Sequence, residues 1–314
     1  MKNNRVIVVG SYNLDMTITT AEFPQPGETV IGKSLTYGHG GKGANQAVAA
    51  ARSGAQVRLL AKVGVDMNGE QAITALAGEG IVTSSIQKTV EAPTGMAAIT
   101  VNDQGENSII VVSGANSTLS ASEVEHECQI FEDADVLLTQ LETSLESVTT
   151  AIQCARKNHM CVILNPAPVR ALSAEILSDV NIITPNMVEA EMLTNISIID
   201  DKTLIQSATK LHSFGIEVVM ITQGSRGVYI SNQGEGKFIP AIEVQAVDTV
   251  GAGDVFNGVL AAHYSGIDSL YEAVSIAVVA AGLSVTKRGA QSGIPDLADI
   301  HAFQHEQAVP INDH

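Results

Sequence analysis

The chain has 314 residues, 45% of them hydrophobic and 16% charged, which fits a globular protein and excludes a tail-like disordered one. Seventeen basic against thirty-four acidic residues leave a formal charge of −17, so the surface repels nucleic-acid backbones and anionic lipid, and neither partner is expected. Three cysteines, Cys128, Cys154 and Cys161, without a C-x-x-C pair suggest neither a disulfide framework nor a zinc ribbon and fit a reducing cytoplasm.

Residues 1–5 lead straight into Val6-Ile7-Val8-Val9, too short a run for a signal-peptide core and followed by no cleavage site, so a cytoplasmic location is expected. Runs at 5–9, 57–62, 136–140, 161–165, 181–184 and 218–222 read as buried parallel strands. Helical patterns at 43–52, 68–79, 145–157 and 202–213 fall between most of them, and this alternation puts crossover helices on both sheet faces. The predicted body is a three-layer α/β/α sandwich with a mostly parallel central sheet.

Two stretches break the rhythm. At 16–36 and 95–112, alternating apolar residues surround turn signals such as Pro26-Gly27 and Asp103-Gln104-Gly105, the pattern of antiparallel hairpins. Strands too few to bury both faces must cover something, so they are read as a small β-sheet lid over a cleft, through which a homodimer would also pair. Residues 255–286 read as two helices broken around 266–269. No repeat or linker divides the chain, so 1–314 is taken as a single domain with that lid, and no apolar run approaches the roughly 20 residues that span a bilayer.

Two glycine-rich segments each precede an apolar helix. In the first, Gly38 to Gln46, the glycines Gly38, Gly40 and Gly43 match G-x-G-x-x-G, but a hairpin precedes them where a dinucleotide fingerprint needs the first strand of a βαβ unit. Gly41-Lys42 resembles a Walker loop, yet Gly43 stands where Ser or Thr would bind magnesium. What remains is either a helix-capping turn or a loop that lets backbone approach a ligand, with Lys42 and Asn45 as donors for hydroxyl groups.

The second segment, Asp248 to Asn257, holds Gly251-Ala252-Gly253-Asp254. Small residues at a helix entry expose successive N–H groups, suited to negative charge developing on a transferring phosphoryl group. Asp254 is either a helix cap or a base beside that anion hole. His39 alone reads as surface or packing, and His301, His305 and His314 lack an acidic third ligand for zinc.

With these two segments the chain resembles the ribokinase-like (PfkB) sugar kinases. The likeness extends through Gly10 to Asp15, Gln140-Leu141-Glu142, Asn165-Pro166-Ala167-Pro168, Thr184 to Glu189 and Thr222 to Gly227. The resemblance implies transfer of the ATP γ-phosphoryl to the 5-hydroxyl of D-ribose, with Asp254 as base and Gly251, Ala252 and Gly253 as anion hole. Deoxyribose, fructose or a nucleoside are the alternative acceptors, and a non-catalytic sugar sensor is the alternative on the same fold.

It further implies that Asn13, Asp15, Gly41, Lys42, Asn45 and Glu142 bind sugar hydroxyls. Asn13 favours ribose, because deoxyribose-specific relatives carry an apolar residue there. Asn186, Thr222, Gly224, Ser225, Gly227 and Gly253 would line ATP, and Glu189 would place Mg2+ through water, although Asn186 and Glu189 also read as a capping box. Asp248, Val250, Ser284, Lys287, Gly289 and Gly293 would form a largely backbone K+ site, with Gly293 where some relatives offer a hydroxyl. Val278 lies where an Asn or His often edges the adenine.

Overall fold

The structure, a computed structural model, describes residues 4–308. Its strands are β1 (Arg5–Val9), β2 (Asn13–Thr19), β3 (Ser34–Gly40), β4 (Gln56–Gly64), β5 (Ile86–Thr89), β6 (Met96–Val101), β7 (Asn107–Val112), β8 (Val136–Thr139), β9 (Cys161–Leu164), β10 (Ile182–Ile183), β11 (Val218–Thr222), β12 (Val228–Asn232) and β13 (Glu235–Ile239). Its helices are α1 (Lys42–Arg52), α2 (Met67–Gly78), α3 (Ala121–His126), α4 (Leu145–Lys157), α5 (Ala174–Ser178), α6 (Met187–Thr194), α7 (Asp201–His212), α8 (Ala252–His263), α9 (Leu270–Ser284) and α10 (Leu297–Ala308).

Nine strands form one sheet in the order β13-β12-β11-β10-β9-β8-β1-β4-β5, parallel from β11 to β5. The run Val6 to Val9 is apolar throughout because both of its faces are buried. Val6 and Val8 join the core under α1, α8 and α9, while Ile7 and Val9 join the core under α4 and α7. Each such side chain contributes about 1.5–3 kcal/mol when fully buried. The mostly parallel α/β/α sandwich predicted from the sequence is the architecture observed.

The chain leaves β1 for β4 and β5 on one side, then returns to β8 and runs outward through β11 on the other. Strand order therefore reverses between β1 and β8, and the crevice at their C-terminal ends is where an open α/β sheet gathers ligands. Helices α1 and α8 pack together beside it. Their crossing depends on Gly258, where a Cβ would run into the Gln46 carbonyl and lie 2.6 Å from the Ala49 Cβ.

The stretches predicted as hairpins form a separate sheet, order β3-β2-β6-β7, antiparallel at both edges and parallel between β2 and β6. The first pair, β2 and β3, begins before and ends after the expected 16–36, and Pro24 and Pro26 fall in the connection between its strands, where no ladder N–H is required. Gly38 and Gly40 consequently lie on β3 rather than in a strand-to-helix turn, which removes the dinucleotide reading. Leu35, Tyr37 and Ile109, Ile110, Val111 and Val112 are exposed on this small sheet.

Three further points correct the sequence reading. Strands β12 and β13 add an antiparallel edge that it did not predict. Cys128 and Cys154 are joined in a disulfide, whereas cysteine spacing alone predicted none, since it cannot reveal which residues the packing of α4 brings together. One stretch, Ile267–Ser284, is long and apolar enough to cross a membrane by length and composition, but its Ala273, Val274, Ile276, Ala277 and Ala280 are buried in the core.

Candidate active site

Helix α8 is entered through Gly251, whose φ of 80° is left-handed and disfavours a side chain. No side chain caps this helix. Asp254 is the third helical residue, 7% exposed, and its carboxylate is turned away from the cap position: Oδ2 accepts from Asn45 Nδ2 at 3.0 Å and Oδ1 from Gln46 Nε2 at 3.0 Å. The helix-cap alternative for Asp254 is thereby excluded. The N–H groups of Gly253 and Asp254 belong to the first turn, where an α-helix supplies no intrahelical acceptor, and that of Ala252 makes a long contact of 3.4 Å with the Thr249 carbonyl.

A buried amide network holds this carboxylate. Gln46 Nε2 also reaches Asn165 Oδ1 at 3.1 Å, Asn165 Nδ2 donates to the Thr184 carbonyl at 3.2 Å, and Gln140 Nε2 donates to Gln46 Oε1 at 2.6 Å. The Thr184 hydroxyl donates to Asn257 Oδ1 at 2.6 Å, and Asn257 Nδ2 returns to the Gly253 carbonyl at 2.8 Å. Gln46, Gln140 and Asn257 carried no role in the sequence reading. The available signal was a polar residue just past an apolar strand, as at Gln140, Asn165 and Thr184, since a buried polar group must find a partner.

Five charged groups share the crevice. Glu142, after β8, accepts from the Ser11 hydroxyl and from the Lys42 N–H at 3.0 Å. The Lys42 ammonium is held above its ordinary pKa first by the negative charge of Asp254 and then, against burial, by Glu142 and Glu189. Burial pushes Asp15 up to about 7, with the charges of Glu142 and Asp254 adding to it. Glu189 is likewise raised, chiefly by burial.

Asn13, on β2, is 4% exposed and accepts from Asn116 Nδ2 at 2.9 Å. Gly41 is the N-cap of α1, immediately before Lys42. Asn45 Oδ1 is buried without a donor, at a cost of about 1–3 kcal/mol that a ligand hydroxyl would recover. The sequence-selected Asp15, Lys42, Asn45, Glu142 and Asp254 are thus brought together from β2, α1, the end of β8 and α8.

Asn186 and Glu189 form the capping box of α6: Glu189 N–H donates to Asn186 Oδ1 at 2.8 Å and Asn186 N–H to Glu189 Oε2 at 2.9 Å. Asn186 also bridges to Thr222. Gly224 and Ser225 lie in a single 3₁₀ turn that ends at Gly227, beyond β11 and four strands across the sheet from β1. They stand apart from the Asp254 cluster, on the β11 side of the sheet. Val278 is buried in the core on α9.

Asp248 ties two loops together, accepting from the Val250 N–H at 3.0 Å and the Gly289 N–H at 2.9 Å. Beside it, a Cβ added at Gly293 would stand 2.9 Å from the Ser284 carbonyl oxygen, 3.0 Å from that of Gly289 and 3.7 Å from that of Lys287. Three carbonyls therefore surround a space that the glycine keeps open, a donor set suited to a hard cation. His39 Nδ1 lies 2.6 Å from the Tyr12 hydroxyl, a packing role. Among the described residues no group of three or more His, Cys, Asp or Glu side chains could hold a metal ion, and His314 lies outside them.

A pfkB family carbohydrate kinase profile matches residues 3–297. The chain is 47% identical over 289 residues to a ribokinase of Haemophilus influenzae, covering 92% of this chain and 94% of that one. It is 34% identical to a deoxyribokinase of Salmonella typhimurium, covering 95% and 98%. A ribokinase of Arabidopsis thaliana complexed with ribose and ATP superposes with a TM-score of 0.90 at 29% identity, covering 96% and 98%. The chain belongs to the pfkB family of carbohydrate kinases.

Proposed function

We propose that this chain is an ATP-dependent ribokinase that transfers the γ-phosphoryl group to the 5-hydroxyl of D-ribose. The observation that carries this reading is the Asp254 carboxylate, held by Asn45 and Gln46 in the first turn of α8. There it takes the proton of the attacking hydroxyl while the N–H groups of Gly251 to Gly253 face the transferring group. Ribose lies against Asn13, Asp15, Gly41, Lys42, Asn45 and Glu142, beneath the small sheet acting as a lid. ATP lies along Asn186, Thr222, Gly224, Ser225, Gly227 and Gly253.

Magnesium would be placed by Glu189 through water: one oxygen is engaged by Asn186, and a partly buried carboxylate oxygen is the ligand type this ion takes. When bound it neutralises phosphate charge. Potassium fits the carbonyls of Ser284, Lys287 and Gly289 around Gly293, with Asp248 and the Val250 carbonyl completing the loop that leads to Gly251. The exposed Leu35, Tyr37 and Ile109 to Val112 support a homodimer paired through the small sheet, since a patch of this kind is normally covered. A cytoplasmic location accompanies the substrate, ATP.

A deoxyribose acceptor is the second reading, favoured by the 34% identity to a deoxyribokinase. Asn13 speaks for ribose. A coupled kinase assay with ATP and potassium across ribose, deoxyribose, fructose and nucleosides decides between them. A higher kcat/KM for any acceptor other than ribose would overturn the proposal.

A further inference from the structure

The orientation of the Asn13 amide follows from backbone groups whose polarity is beyond choice. The Tyr12 N–H donates to Asn116 Oδ1 at 3.0 Å, and the Tyr12 carbonyl accepts from Asn116 Nδ2 at 2.8 Å. An N–H can only donate and a carbonyl can only accept, so these two bonds fix which end of the Asn116 amide is which. The same Nδ2 donates to Asn13 Oδ1 at 2.9 Å. The Asn13 carbonyl is turned to Asn116, which takes one of its two lone pairs, and the NH₂ group is directed the other way. Asn116 is 1% exposed, so bulk solvent does not reach this arrangement.

The polarity matters because the crevice is rich in acceptors. Asp15, Glu142 and Asp254 only accept when ionised, Asn45 Oδ1 is buried without a donor, and one of the two Asn45 Nδ2 hydrogens is engaged by Asp254. Among the side chains assigned to the sugar, N–H groups come from Lys42, Asn13 and the second hydrogen of Asn45 Nδ2. A sugar hydroxyl has one hydrogen and two lone pairs. Where carboxylates draw its hydrogen, its lone pairs need donors, and an Asn13 turned over would add one more acceptor instead.

We propose that Asn116 is a specificity-determining positioning residue, which locks Asn13 so that only N–H groups face one sugar hydroxyl. The proposal rests on the reading of Asn13 as a sugar contact. A site that hydrogen-bonds a hydroxyl discriminates strongly against the analogue lacking it, because its own polar group is then left unpaired.

The test uses the full chain in a coupled kinase assay with ribose and its analogues lacking the 1-, 2- or 3-hydroxyl, for wild type, Asn13→Leu, Asn13→Asp and Asn116→Asp. Asn13→Asp keeps an acceptor for Asn116 Nδ2, removes the donor and adds a negative charge, whereas Asn13→Leu removes the donor without a charge. Asn116→Asp has no N–H to give, so Asn13 turns to donate to it. The expected result is that all three variants lose, by about tenfold or more, the preference for ribose over the same single analogue. The loss falls on the sugar KM, with kcat and the KM for ATP close to wild type.

If Asn13→Leu leaves every ratio unchanged, the sugar contact itself fails and the proposal with it. If Asn13→Leu loses the preference while Asn13→Asp and Asn116→Asp keep it, the contact stands and the positioning role is overturned. Should Asn116→Asp fail to melt cooperatively, Asn13→Asp decides alone, and a wild-type ratio there rejects the fixed donor.

Discussion

Asn45 Nδ2 donates to Asp254 Oδ2 at 3.0 Å across 209 residues of sequence, joining the two glycine-rich segments into one site. The bond places the proposed sugar-binding amide and the proposed base in direct contact. Asp254→Asn keeps the size of the side chain and removes the proposed base. Sugar binding measured by calorimetry is expected to persist while kcat falls by about 10²–10⁴, the range a general base contributes. Full turnover would reject Asp254 as the base.

If Asp15 contacts the sugar as proposed, sugar affinity is expected to depend on pH. Its acid form is stabilised up to about 7 by burial and by Glu142 and Asp254, whereas a sugar hydroxyl donating to it favours the ionised form. Ribose affinity should therefore rise as pH increases through about 7, and Asp15→Asn should flatten that rise. Calorimetric titration between pH 6 and 8.5 at about half-unit steps measures both.

The same group weakens the unliganded fold at high pH. A carboxyl whose folded pKa is raised binds more protons folded than unfolded, so its contribution is full below the unfolded value and is lost as pH rises through about 7. Asp15→Asn should raise the apo melting temperature more at pH 8.5 than at pH 5.5, by about 2–4 °C per kcal/mol recovered. Equal shifts at the two pH values would refute the assignment.

Gly293 tests the proposed potassium site. Alanine there would put its Cβ 2.9 Å from the Ser284 carbonyl oxygen and fill the space between the carbonyls. Wild type should lose activity when potassium is replaced by a bulky organic cation, and Gly293→Ala should be slow and indifferent to the exchange. A variant that still responds to potassium places the ion elsewhere.

The proposed dimer rests on the exposed face of β7. Ile110 is 67% exposed and Val112 55%, so a charge there costs the monomer little. Ile110→Lys with Val112→Glu should shift sedimentation from dimer to monomer at micromolar concentration without lowering the melting temperature of the monomer. Unchanged sedimentation would move the interface off this sheet.

The sandwich was legible because strands such as β1 are apolar on both faces and helices of even spacing separate them. Asp254, Asn45 and Lys42 were legible from glycine clusters at helix entries. Gln46, Gln140, Asn116 and Asn257 were not, because their role is to hold another side chain, and an amide carries no mark in sequence of the partner that tertiary packing gives it. The same reason hid the Cys128–Cys154 pair and the antiparallel edge of β12 and β13, which depend on what lies beside a segment rather than within it.

Helices α1 and α8 meet at Gly258 with backbone almost touching backbone, and the proposed base and its amide partners sit on that seam. Asn13 and Asp15 do not; they lie on β2, in the small sheet. On the proposed reading, part of the sugar pocket, Lys42 and Asn45, shares the seam with the base, and part of it, Asn13 and Asp15, stands outside. Substitutions along β2 would then alter the acceptor pocket without disturbing the helix seam that holds Asp254.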